Sequence, residues 1–128
     1  MRRFHGLFAA LLVASAIAMP EPSSAVAKLA VRTAIGLPLI EALKAIQAMN
    51  FALALEEARL ADSATNKSPF EEYAVAQYLC DIALAQPMPD YTAARAAYDR
   101  IMSSGGIPDQ DRASLEEWAM KLRLGEGR

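Results

Sequence analysis

The sequence predicts an all-α protein, and three observations carry that expectation. Alanine and leucine dominate the apolar residues, Gly and Pro fall between periodic stretches, and apolar side chains recur three and four apart with no strand-like alternation. A length of 128 residues bounds the chain to one domain. The formal net charge is -2 with a pI near 5.4, and Lys and Arg are scattered. A mature chain of that kind lacks the basic patch that nucleic acid or anionic lipid normally requires, so neither is expected as a partner.

The first 27 residues read as a secretory signal. Met1, Arg2 and Arg3 form a basic start, and Gly6 to Met19 is an almost unbroken apolar run, shorter than the roughly 20 apolar residues that span a bilayer. Pro20 to Ser24 break the run, and Ala25-Val26-Ala27 has the small-x-small form of a cleavage site. Cleavage is expected after Ala27, with Ala16-Ile17-Ala18 as a second site, and an uncleaved N-terminal membrane anchor is the alternative. The expected location is periplasmic or secreted, with no membrane attachment once the signal is removed. His5, the only histidine, leaves with the signal, so a mature chain has no imidazole for a triad, a general base or zinc. Cys80 is the only cysteine, which rules out an internal disulfide. It is expected either as a small buried residue or in an intermolecular bridge.

Residues 28–36 form a lead, and Pro38 suits the first turn of a helix whose stripe is Leu39, Ala42, Leu43, Ile46 and Met49. Asn50 marks a turn. A second helix from Phe51 carries Phe51, Ala54, Leu55, Ala58 and Ala61 on one face and Leu53 and Leu60 on another, so it calls for neighbours on two sides. Ser68, Pro69 and Glu71 make a capping box that starts the third helix. One of its faces holds Phe70, Tyr73, Ala76, Gln77, Cys80, Ala83 and Leu84; another holds Ala74, Tyr78, Ile82 and Ala85; Pro87 and Pro89 end it. Asp90 caps a fourth helix with Tyr91, Ala94, Tyr98, Ile101 and Met102 on one face, closed by Gly105 and Gly106. A fifth begins near Pro108, with Asp109 and Asp111 in its first turn and Leu115, Trp118, Ala119 and Leu122 as its stripe. Residues 125–128 are expected to be a frayed tail.

Asn50, Phe51 and Ala54 recur 40 residues later as Asp90, Tyr91 and Ala94, with Tyr98 following. In each copy a polar residue and an aromatic stand at the turn between two helices, and a small residue follows that lets two backbones approach. At these positions the chain resembles the tetratricopeptide repeat (TPR), in which an Asp-Tyr turn precedes an alanine and then an aromatic. The run Asn66 to Glu71 is similar to a segment of exported proteobacterial proteins of this repeat type. The resemblance covers about residues 36–124 and implies antiparallel helical hairpins stacked as a short TPR-like array over residues 37–124. An irregular helix bundle is the alternative reading of the same helices.

No catalytic constellation is visible. Glu56-Glu57, Glu71-Glu72 and Glu116-Glu117 are adjacent on helices and point about 100° apart, as solvated faces do. Gly105-Gly106 follows a helix, so it is not a phosphate cradle. Neither an enzyme, a cofactor nor a metal is expected. The resemblance implies a protein-interaction module for an unspecified protein or peptide, held in a groove lined by the first helix of each pair. Tyr73 and Tyr78 are the candidate peptide contacts. The competing expectation is a self-associating helical protein without a peptide groove, using Trp118 and the exposed faces of the terminal helix.

Overall fold

A computed structural model describes residues 30–126; the expected signal segment and the last two residues of the tail lie outside the described residues. Within them the all-α expectation holds. The helices are α1 (Thr33–Gln47), α2 (Phe51–Asp62), α3 (Pro69–Ala85), α4 (Tyr91–Ser103) and α5 (Arg112–Glu126), with a 3-10 turn at Asp109–Asp111.

α1 starts five residues before Pro38, which corrects the expected lead of 28–36. Its entry is held by Arg32, whose carbonyl accepts from the Ile35 and Gly36 N–H groups and whose own N–H donates to Glu71 at 2.8 Å. Burial of Ile35 and Gly36 in the first turn adds to this. Pro38 is tolerated inside the helix because the carbonyl it leaves unbonded belongs to exposed Ala34, which water can serve. The helix ends in a Schellman motif: the Asn50 N–H reaches the Ala45 carbonyl at 2.8 Å and the Met49 N–H reaches the Ile46 carbonyl at 2.9 Å. Met49 is therefore not part of the buried stripe. It stands past the helix end with φ +61° and is 63% exposed.

The fully buried residues of α2 are all alanines, with Phe51 and Leu55 packed half-buried beside them. Ala54, Ala58 and Ala61 are fully buried, and the absence of bulk lets α1 and α2 pack closely. Leu53 and Leu60, expected to meet a second neighbour, are exposed on the far side. The helix with neighbours on two sides is α3. Its Ala74, Val75, Tyr78 and Ile82 join α1 and α2 in one core cluster. Phe70, Tyr73, Ala76, Cys80 and Ala83 join Ala94, Ala97 and Ile101 of α4 and Leu115, Trp118 and Leu122 of α5 in a second. The two faces read from the sequence of α3 thus correspond to two cores.

The capping box at Ser68 and Glu71 is present in full, with the Glu71 N–H on Ser68 Oγ at 3.1 Å and the Ser68 N–H on Glu71 Oε1 at 2.8 Å. After α4, Gly105 takes φ +73° and Gly106 lies so close to the Pro69 backbone that a Cβ would collide with it. Trp118 is 2% exposed, in the core as its place in the apolar stripe predicts, so it does not supply the surface that the competing self-association expectation gave it. α5 continues through Gly125, where an expected frayed tail gives way to contact with the Tyr91 ring that leaves no room for a Cβ.

Candidate functional site

The two helix pairs meet along α3, and α2 and α4 flank it on one side. Between them lies a groove of about 310 Å³. Leu79, Ile82 and Ala83 of α3 form its apolar floor, Leu55 and Arg59 line the α2 wall, and Ala93, Ala96 and Ala97 line the α4 wall. These positions recur three and four apart because each helix presents one stripe to the groove. This groove runs between the second helices of the two pairs, with α3, the first helix of the second pair, as its floor.

A charge network holds one end of the groove. Arg100 of α4 donates to both oxygens of Asp62, the last residue of α2, at 3.1 and 2.8 Å, and to Glu72 of α3 at 2.8 Å. Lys67 lies 3.4 Å from Asp62 and 3.9 Å from Glu72, and its ammonium also donates to the Asp62 carbonyl at the open end of α2 and to the Ala64 carbonyl just beyond it. The hydrogen bond from Arg100 is the main reason the Asp62 carboxyl titrates below the usual carboxylate range. At the opposite end stand Gln86 and Asp90, the latter accepting from the Ala93 N–H at 3.0 Å.

The repeat positions occupy equivalent places. Asn50 and Asp90 are the N-caps of α2 and α4, Ala54 and Ala94 are fully buried, and Phe51 and Tyr91 are half-buried against the first and second cores. Tyr98 is half-buried with the Arg95 guanidinium 5.7 Å from its ring centre. Tyr73 and Tyr78 are not peptide contacts in this structure, since both are fully buried in the cores. The Tyr73 hydroxyl donates to Asp111 at 2.6 Å and accepts from Gln77 at 3.1 Å, a buried polar chain that ties α3 to the turn before α5. Cys80 is buried, the first of its two expected states, with its thiol 3.6 Å from the Ala94 carbonyl; burial pushes its pKa up.

Among the described residues three acidic residues are buried, and of these only Glu71 belongs to the pairs read as solvated faces. Glu71 is 3% exposed and receives the Arg32 guanidinium at 3.0–3.3 Å. Burial pushes its carboxyl up, but the bonds from Arg32 and Ser68 outweigh this and hold it below its ordinary value. Asp111 is buried against Tyr73. Asp81 is 1% exposed, its Oδ2 has no hydrogen-bond partner, and burial raises its carboxyl well above the usual range although the charge of Lys121 opposes this. Asp81 stands one turn after Gln77, beside the stripe that holds Gln77 and Cys80, and that position between the two apolar faces was the available signal for its burial.

Among the described residues no group of three His, Cys, Asp or Glu could hold a metal ion, and no helix is long and apolar enough to cross a membrane. Comparison with protein-family models, with curated proteins and with solved structures returns no match to this chain.

Proposed function

We propose that the chain is an exported, non-catalytic docking module that holds a segment of another protein in the groove between α2 and α4. The observation that carries this reading is the groove itself, with an apolar floor, a wall of bare alanines and a charged bridge across one end. Alanine walls admit a ligand backbone, while fixed charges at the rim select orientation. The resemblance of Asn50, Phe51, Ala54, Asp90, Tyr91, Ala94 and Tyr98 to tetratricopeptide turns supports the same reading, because such repeats commonly serve as protein-binding scaffolds. The export part rests on residues 1–27 of the sequence.

The experiment is photo-crosslinking in a bacterial host that carries the full chain. A photoreactive residue at exposed Ala96, which lines the groove, is expected to capture a defined protein; the same residue at exposed Glu116 on α5 is not. Equal capture at both positions, or none at Ala96, rejects the groove. N-terminal sequencing of the same product is expected to begin at Lys28, and recovery of Met1 in the membrane fraction rejects export by cleavage.

A second reading has its own observation. Leu53 and Leu60 are 40% and 57% exposed on the outer side of α2, and a second copy could cover them. Concentration-dependent sedimentation that disappears in Leu53→Lys would favour self-association over docking.

A further inference from the structure

Among the described residues neither core cluster holds a methionine. Methionine commonly fills gaps in cores, because its thioether chain is flexible. Here Met49, Met88, Met102 and Met120 are instead between 50% and 86% exposed. Met49 stands past the end of α1, Met88 lies between Pro87 and Pro89 in the α3–α4 connection, Met102 is in the last turn of α4, and Met120 is on the side of α5 turned away from Trp118. The sulfur inside the protein is of another kind. Cys80 is fully buried, its thiol lies 3.6 Å from the Ala94 carbonyl, and burial pushes its pKa up.

This separation decides which sulfur can react. A peroxide oxidises cysteine through its thiolate, which at Cys80 is both scarce and out of reach. A thioether needs no deprotonation, so exposure alone governs its encounter with the oxidant. The product is strongly polar. In a core it would strand an S–O group among apolar side chains, whereas at the four exposed positions that group stays in water.

We infer that Met49, Met88, Met102 and Met120 are sites of reversible oxidation by peroxides, and that the fold takes up all four oxygens with its packing intact while Cys80 stays reduced. At each site the sulfur lone pair attacks the terminal oxygen of the peroxide. The O–O bond breaks, an S–O bond forms, and the second oxygen leaves as water or an alcohol after taking the proton of the first. The sulfur loses two electrons and the peroxide gains them. A methionine sulfoxide reductase reverses the step with two electrons from a pair of thiols and releases the oxygen as water. The inference goes beyond the docking reading and does not depend on it, since none of the four methionines lines the groove.

The test treats the folded full chain with hydrogen peroxide, stops the reaction with catalase and reads the tryptic fragments 45–59, 68–95, 101–112 and 113–121 by mass, each of which carries one of the four methionines. Every fragment is expected to gain one oxygen at its methionine, at a rate within about twofold of the same site in the urea-unfolded chain, because half or more of each residue is already in water. Cys80 is expected to remain open to alkylation once the treated chain is unfolded. The oxidised chain should keep the urea midpoint and slope of the untreated one, and sulfoxide reductases acting on both sulfur configurations should remove all four oxygens from the folded chain. A folded-state rate several-fold below the unfolded rate at any of the four shows a shielded sulfur and overturns the assignment. A fallen midpoint or a lost cooperative transition overturns the tolerance of the fold, oxidation of Cys80 ahead of the methionines overturns its protection by burial, and oxygens that the reductases leave in place overturn reversibility.

Discussion

Asn50 and Asp90, 40 residues apart, hold the same backbone conformation, with φ -97° and ψ 80° in one and φ -94° and ψ 89° in the other. Each accepts through its side chain from the N–H three residues on, at 3.2 and 3.0 Å, and each carbonyl receives the N–H of a fully buried alanine, Ala54 or Ala94. The two turns therefore launch α2 and α4 in the same way, and the groove lies between the helices so launched. Asn50→Ala and Asp90→Ala are each expected to lower stability by about 1 kcal/mol, the usual value of an N-cap, at unchanged denaturant slope. A loss at only one of the two would show that the turns are alike in shape but not in energetic role.

Met49 should be improvable. It is the residue after the end of α1, it holds φ +61°, and its side chain is mostly in solvent. A side chain in that region carries a steric cost that glycine avoids, offset in part by the greater freedom of glycine in the unfolded chain. Met49→Gly is expected to raise the urea midpoint by the equivalent of about 0.5–1 kcal/mol. A fall would mean that the Met49 side chain is held by contacts the turn geometry does not reveal.

Glu71 joins the local cap to a distant one. It accepts from Ser68 within its own helix and from the backbone and guanidinium of Arg32, 39 residues earlier, so one carboxylate fixes the starts of α3 and α1. Ser68→Ala removes only the local bond and is expected to cost about 1 kcal/mol. Glu71→Ala also strips Arg32 of its acceptor and should cost about 1–3 kcal/mol. Because the Glu71 carboxyl is held below its ordinary value, its contribution is present above about pH 4.3 and is lost as pH falls through the folded value. A pH scan in which wild type and Glu71→Ala converge on the acid side checks the sign.

Much of this fold was legible in the residues, and what was not shares one cause. The starts of α2, α3 and α4 were readable because Asn50, Ser68 and Asp90 act on N–H groups three residues away. The two faces of α3 were readable because helical periodicity is local as well. The true start of α1 was hidden, since it depends on Glu71, and Pro38 offered a stronger local signal for a later start. The Asp62–Arg100 bridge, the Tyr73–Asp111 bond and the burial of Tyr78 join residues from different helices, and no spacing rule pairs them. The groove followed the same logic: alanines at 93, 96 and 97 read as helix formers until α2 was placed beside them.

Asp81 makes stability depend on pH in the opposite sense to Glu71. Burial raises its carboxyl, so the folded chain binds a proton more readily than the unfolded chain does. The sign of linkage then requires stability to be fullest below the unfolded value near pH 3.9 and to decline as pH rises toward the folded value. Asp81→Asn keeps the shape without the titration. It is expected to be more stable than wild type at neutral pH, with the difference closing under acid. A variant less stable than wild type at pH 7 would show instead that an ionised Asp81 is held by the charge of Lys121.

Ala93 and Ala94 separate packing from docking by a single step along α4. Ala94 is fully buried, and its carbonyl lies against the Cys80 thiol where α3 and α4 cross. Its neighbour points about 100° away, is exposed, and lines the groove. Ala94→Leu must force a large side chain between two close helices and is expected to destabilise by about 1–3 kcal/mol. Ala93→Leu adds bulk only to the groove, so the unfolding midpoint should stay near that of wild type while the groove loses volume. Photo-crosslinking from Ala96 is then expected to fall in the Ala93→Leu variant and to persist in a surface control such as Glu116→Ala. Equal destabilisation at both positions would place Ala93 inside the core and remove the α4 wall. Equal stability together with undiminished capture at Ala96 would mean that the partner does not use the floor of the groove, because a leucine at 93 stands between the rim and Ile82.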